Sequence, residues 1–167
     1  MINKISFKNY KLFKEKQTLE LKPITILIGK NNSGKSAVLK LMTLLEGALS
    51  GKIDKTFCLE NDGVISGQEF KDLIYGKFGR ALEVELFQDN VKEEKNQSLN
   101  VKVAVDISKN LPIIESWILK EKNKDEDYVE LLNFQRLDNN LFLNEVDQNE
   151  YLCSFDGIYL SNYFYKE

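Results

Sequence analysis

A chain of 167 residues, 43% hydrophobic and 29% charged, can bury the core of one domain, and no window approaches the ~20 consecutive apolar residues of a membrane span. The absence of histidine excludes a Ser-His-Asp or Cys-His triad and any His-ligated metal, while Cys58 and Cys153 have no metal-ligand spacing and are expected as reduced thiols of a cytoplasmic protein. Residues 1–40 hold nine lysines against Glu15 and Glu20, so they carry +7 and the remainder −10 of the net −3, a basic segment suited to a polyanionic ligand.

Met1–Phe7 lacks the apolar core and cleavage site of a signal peptide, and the alternation over Ile2–Tyr10 predicts a strand instead. A turn around Lys14–Lys16 leads to a second strand, Thr18–Leu21, which completes a hairpin. Ile24–Ile28, a β-branched apolar run opened by Pro23, reads as a central strand covered on both faces. After a short loop, Val38, Leu41, Met42, Leu45 and Leu49 follow helical spacing. Leu39, Leu44 and Ala48 widen that face, so a buried helix is expected, ending near Ser50–Gly51.

Residues 51–80 are irregular, with one or two helical turns expected over Glu69–Tyr75. From Ala81 the texture is strand-like: Leu82–Phe87, Leu99–Ile107, Ile113–Leu119, Tyr128–Phe134 and Leu141–Val146 each read as strands. Polar turns at Lys120–Asp127 and Asp138–Asn140 separate some of them, and aromatic-rich Tyr151–Tyr165 reads as a last strand and the start of a further element. Because Gly29–Ser36, between the strand and the helix, reads G-x-x-x-x-G-K-[ST], the expected fold class is α/β (α+β): a P-loop NTPase N-terminal unit of hairpin, strand, phosphate loop and helix, followed by an antiparallel β-meander. Within a single partial domain spanning 1–167, the divisions fall at 1–50 (P-loop unit), 51–80 (connection) and 81–167 (antiparallel subdomain).

The loop between predicted strand and helix, Gly29-Lys-Asn-Asn-Ser-Gly-Lys-Ser36, matches G-x-x-x-x-G-K-[ST] at every fixed position. The spacing has a chemical reason. Gly29 and Gly34 let the backbone curl so that successive N–H groups point at the β- and γ-phosphates. Lys35 reaches those phosphates as a point charge, and the Ser36 hydroxyl can ligate Mg²⁺. A helix starting near Lys35 adds its positive dipole end. Lys30, Asn31, Asn32, Ser33 and Ala37 complete the expected contact set, with Lys11 added from the preceding hairpin. The alternative, a Gly/Asn turn joining a strand to a helix, accounts for neither the lysine nor the serine.

Phe7-Lys-Asn-Tyr-Lys-Leu-Phe13, Leu19-Glu-Leu21 and Ile26–Ser36 together resemble the opening of the ABC-type ATPase heads of the RecF, SMC and OLD-like group. The resemblance covers residues 1–50 and, more weakly, the strands that follow. It implies binding of ATP and Mg²⁺, with Gly29, Asn32, Ser33, Gly34, Lys35 and Ser36 holding phosphates and metal. It places Asn9–Lys11 near base and ribose. It also implies head-to-head homodimers around two nucleotides, and hydrolysis coupled to DNA repair, DNA maintenance or phage defence through DNA or an effector protein.

The chain departs from that pattern in ways that limit its own chemistry. The switch histidine is absent. Ile65-Ser-Gly-Gln-Glu69 superficially resembles a signature sequence but follows the loop by only about thirty residues, so it reads as a loop, and Gln68 is unsupported as a Q-loop residue. Val103–Ile107, with Asp106, is the one approximation to an Asp-Glu strand and reads as a meander strand. Asn123–Glu126 hints at a guanine-reading motif and reads as a charged turn. The expectation is a part of an ATPase head that binds Mg-ATP, has Lys35 as its catalytic cation, and depends on residues outside this chain for hydrolysis. The alternatives are a small P-loop kinase, for which Arg80 and Arg136 are few arginines, and a non-hydrolysing nucleotide-dependent dimerisation module.

Overall fold

The computed structural model describes residues 1–51, 55–77, 79–90, 95–122, 127–138 and 140–166. Among them, nine strands form one antiparallel sheet around a single α-helix. β1 (Ile2–Lys8), β2 (Gln17–Glu20), β5 (Leu82–Asn90), β6 (Lys95–Asp106), β7 (Leu111–Lys122), β8 (Tyr128–Asp138), β9 (Leu141–Asn144), β10 (Asn149–Asp156) and β11 (Tyr159–Tyr165) lie in the order β11-β10-β9-β8-β7-β6-β5-β1-β2. A separate ribbon, β3 (Glu60–Asn61) with β4 (Val64–Ile65), and a 3-10 helix at Phe70–Leu73 occupy the connection. Asn123–Glu126, read as a charged turn, lies outside the described residues, as does Asn139 of the second polar turn.

Period-two patterning assigns the two faces of the sheet. Ile5 and Phe7 stand opposite Leu86 and Val84, which stand opposite Leu99 and Val101; Val101 faces Trp117, and Trp117 faces Phe134. These residues lie on the inner face and belong to the buried core or pack against it. On the outer face Ser6 hydrogen-bonds Thr18 at 2.9 Å, Asn100 donates to Glu83 at 3.2 Å, and Lys16 pairs with Glu85 at 2.7 Å. A sheet that alternates apolar and polar residues across so many strands presents one dry face and one wet face, and the helix packs on the dry one.

Helix α1 (Lys35–Leu49) buries Leu41, Leu44, Leu45 and Ala48 against that face, and Gly51 leaves it with φ 64°. Leu39 is 59% exposed, so the apolar stripe is narrower than the sequence suggests. The C-terminal end of α1 is held by the β10–β11 turn. Ile158 N donates to Ala48 O at 2.9 Å, and Trp117 Nε1 donates to Ile158 O at 3.0 Å. Gly157 makes this approach possible, because at φ 70° its missing Cβ would stand 2.0 Å from Ala48 O. That same turn divides Tyr151–Tyr165, where a last strand and the start of a further element are expected, into β10 and β11.

The largest correction concerns Ile24–Ile28. The segment belongs to no strand, and Ile24, Ile26 and Ile28 are 82%, 75% and 91% exposed. In the sheet order β1 is already paired on both sides, by β2 and β5, and among the described residues no strand pairs with this run, not even along the open edge of β2. In the connection, the helical turn expected over Glu69–Tyr75 is the 3-10 helix, which packs on the core through Phe70 and Leu73, and Phe70 stacks on Phe57 at 5.5 Å; the β3–β4 ribbon was not expected.

The two thiols differ in setting. Cys153 is buried on the inner face, and burial pushes its thiol up to about 12 because the thiolate cannot be solvated there; Cys58 is only partly covered. A thiol-reactive dye at pH 8 should label Cys58 in the native protein and Cys153 only after denaturation. Equal labelling of both in the folded chain would mean that β10 does not pack as described.

Candidate functional site

The phosphate-type loop is built on a contact between the β1–β2 turn and the start of α1. Asn9 and Lys11 take φ values of 57° and 48°, which curls the turn so that Tyr10 N donates to Phe13 O and Phe13 N to Tyr10 O. Tyr10 is fully buried, its ring edge-on to Phe7, and its hydroxyl donates to Ala37 O at 3.0 Å in the first turn of α1. Burial holds the Tyr10 phenol well above its ordinary range, so it stays a neutral donor to that carbonyl. Phe13 packs edge-on against Phe7 and directly over Gly34.

Gly34 is the position where both steric demands meet. It caps α1 at φ 93°, in the left-handed region, and a Cβ there would stand 2.4 Å from Phe13 Cζ and 3.1 Å from Leu12 Cδ2. Asn32 adds a second left-handed residue at φ 62°, and a Cβ on Gly29 would meet Ser33 Oγ at 2.9 Å. The loop is thus compact enough that its own carbonyls gather the lysine. Lys35 Nζ donates to Gly29 O at 2.8 Å and to Lys30 O at 2.6 Å, with Ser33 Oγ at 3.5 Å.

No side chain caps the N-terminus of α1, and its first turn holds no acidic residue. The leading N–H groups and the positive end of the helix dipole are left for an external anion. They face an open cavity of about 490 Å³ lined by Leu12, Asn31, Asn32, Ser33, Gly34, Lys35, Ser36 and Ala37. Ser36 is exposed at this cavity. Backbone donors, an ammonium and a hydroxyl around one concavity form a donor set that fits the phosphates of a nucleotide with an accompanying divalent cation.

Of the residues expected here, Gly29 and Lys30 contribute carbonyls to Lys35, and Asn31–Ala37 line the cavity. Lys11 does not join them. Its ammonium donates to Ser66 O at 2.5 Å, and burial, with Lys40 adding to it, lowers its pKa. Lys40 donates in parallel to Ile65 O at 2.8 Å, so the two lysines fasten the Ile65–Ser66 segment to the hairpin and the helix. That segment leaves β4 and enters a 3-10 helix, not an α-helix. Asp106 is the last residue of β6, accepting from Ser108 N, Ser108 Oγ and Lys109 N of the β6–β7 turn, and does not line the loop cavity. Leu12 and Phe13 are site residues that motif reading missed, and Tyr10, within the expected Asn9–Lys11, serves as a packing and hydrogen-bonding residue under the helix start. Their signal was the aromatic spacing of Tyr10-Lys-Leu-Phe13 ahead of a glycine-bounded loop.

A glycine-bounded loop that gathers a lysine and opens a helix beside a broad antiparallel sheet defines a P-loop nucleotide-binding domain. The chain belongs to the AAA ATPase domain family, whose model matches residues 1–164. A comparison with curated proteins finds no match. The chain therefore carries an ATPase-type, nucleotide-binding function.

Gly34→Ala tests the geometry. The substitution places a Cβ at positive φ and against the Phe13 ring, which should lower stability by about 1–3 kcal/mol in chemical denaturation. A variant as stable as the parent would show that Phe13 does not rest on the loop.

Proposed function

We propose that this chain binds Mg-ATP on Gly29–Ser36 as the nucleotide-binding part of an ABC-type ATPase head. The observation that carries the reading is the uncapped α1 N-terminus opening on a cavity that also receives Lys35 and Ser36. The β- and γ-phosphates would lie on the loop's N–H groups, and Lys35 would exchange the Gly29 and Lys30 carbonyls, in whole or in part, for phosphate oxygens. Ser36 would hold Mg²⁺, which when bound neutralises phosphate charge. Tyr10 and Phe13 hold the loop and the first helical turn in register, so the positions of the donors are set before ligand arrives.

The resemblance of Phe7–Ser36 to the RecF, SMC and OLD-like heads supports head-to-head homodimers and a role in DNA maintenance, DNA repair or phage defence, with DNA or an effector protein as partner. Among the described residues no helix is long and apolar enough to cross a membrane, which accords with a cytoplasmic setting.

A second reading, nucleotide binding without turnover by this chain alone, is favoured by the cavity lining. It holds no carboxylate, and Asp106 is committed to its own turn. Phosphoryl transfer to water needs a group that orients the nucleophile beside the γ-phosphate, and that group would come from other sequence.

Lys35→Ala should weaken Mg-ATP binding by about ten- to 150-fold, the loss of one charge-assisted contact of roughly 1.5–3 kcal/mol. Unchanged affinity in a folded variant, measured by calorimetry, would remove the loop from nucleotide binding. Ser36→Ala should lose the magnesium-dependent part of the affinity and keep most metal-free binding. A wild-type magnesium response would exclude Ser36 as the ligand. In single-turnover measurements the chain by itself should hydrolyse ATP no faster than buffer. Hydrolysis well above that rate, lost in Asp106→Ala, would show that the β6–β7 turn completes an active site.

A further inference from the structure

The inner face of the sheet is largely apolar, and Arg136 stands on it as a charged residue. Arg136 pairs with Phe142 across β8 and β9, so it stands on the same face as Phe134, two residues before it, and Phe142. Its guanidinium stacks over the Phe142 ring at 5.6 Å, and Nη1 donates to Ile114 O at 3.3 Å. No carboxylate pairs with it among the described residues, although its side chain is half-buried. A guanidinium presents five N–H donors in a planar fork, and here one of them meets an uncharged acceptor.

The fork lines a cavity of about 600 Å³, the uncovered part of the inner face between β6 and β10, whose floor is Ile114, Phe142, Cys153 and Phe155. Asn140 and Ser154 add neutral polar groups to its wall, and Lys109 stands in the β6–β7 turn at its edge. Asp106 also lines it, but its Oδ1 accepts from Ser108 N, Ser108 Oγ and Lys109 N, and those bonds with the Lys109 charge hold its carboxyl below the usual range. The carboxylate of Asp106 and the ammonium of Lys109 therefore offset each other, and the charge left over is that of Arg136.

We propose that this cavity is a second ligand site, separate from the phosphate loop, which takes a small organic oxyanion with its carboxylate or phosphate group on the Arg136 fork and its apolar part on Phe142 and Phe155. A half-desolvated cation with unused directional donors is costly unless an anion completes it, and a planar fork fits a carboxylate or a phosphate through two parallel hydrogen bonds. The Phe142 and Phe155 rings beside the guanidinium place an apolar surface and a directional cation in one concavity, as a small organic anion requires.

The test must separate this site from the loop, which also attracts phosphate. Calorimetric titrations of the full chain with inorganic phosphate and with succinate would be run on Lys35→Ala, which disables the loop, and on the Lys35→Ala/Arg136→Gln pair. Lys35→Ala is expected to retain saturable binding of at least one probe, weakened tenfold or more in the double variant and to a lesser degree by Arg136→Lys, which keeps the charge but not the fork. Preference for succinate assigns the ligand to carboxylates, and preference for phosphate assigns it to phosphate esters. Failure of Lys35→Ala to bind either probe at tens of millimolar, or equal binding with and without Arg136 in folded variants, would overturn the proposal. ATP affinity in Arg136→Gln should match wild type, so loss of the second site leaves the reading of the phosphate loop standing.

Discussion

The aromatic ring of Phe13 lies where a side chain on residue 34 would be. Everything at the loop depends on that exclusion. A residue with a Cβ would have to move the β1–β2 turn or the helix, and either movement would disturb the donors that converge on the cavity. The same turn supplies Tyr10, whose hydroxyl accounts for one carbonyl of the first helical turn, and Lys11, whose backbone N–H bonds Leu73 O and whose ammonium bonds Ser66 O. A five-residue bend thus joins the first hairpin, the helix start and the 3-10 segment into one unit.

At its other end α1 is held as firmly. Trp117 carries the Ile158 carbonyl, Ile158 carries the Ala48 carbonyl, and Gly157 makes room for both. The helix is therefore fixed at each terminus by a turn from a different end of the nine-stranded sheet, β1–β2 at the loop and β10–β11 at the far end. Its middle is fixed by burial of Leu41, Leu44 and Leu45. Specific contacts as well as burial therefore fix where the helix sits on the sheet.

The loop stood out in the sequence through its fixed spacing of glycines, lysine and serine, and the structure brings Asn31–Ala37 to one cavity. The strands from Leu82 onward were legible because their side chains alternate, and the end of α1 was legible from Ser50-Gly51. Ile24–Ile28 misled because β-branched composition reports a preference for extended backbone, whereas burial also requires a partner strand, which composition does not report. Lys11 misled for a related reason. Its position in the sequence put it near the loop, but its left-handed backbone turned the ammonium toward Ser66. The packing of Phe13 over Gly34 was invisible to motif reading, because the motif records which residue is a glycine and not what occupies the space it leaves.

Trp117 is the one tryptophan in the chain, and its indole N–H reaches the turn that closes over α1. The protein consequently carries its own optical reporter at the junction of sheet, helix and terminal hairpin. Emission from this indole senses whether β10–β11 is docked on the helix, with no label introduced. Because the bond it reads lies at the opposite end of α1 from the phosphate loop, a change in emission on adding a nucleotide would register a displacement carried along the whole helix.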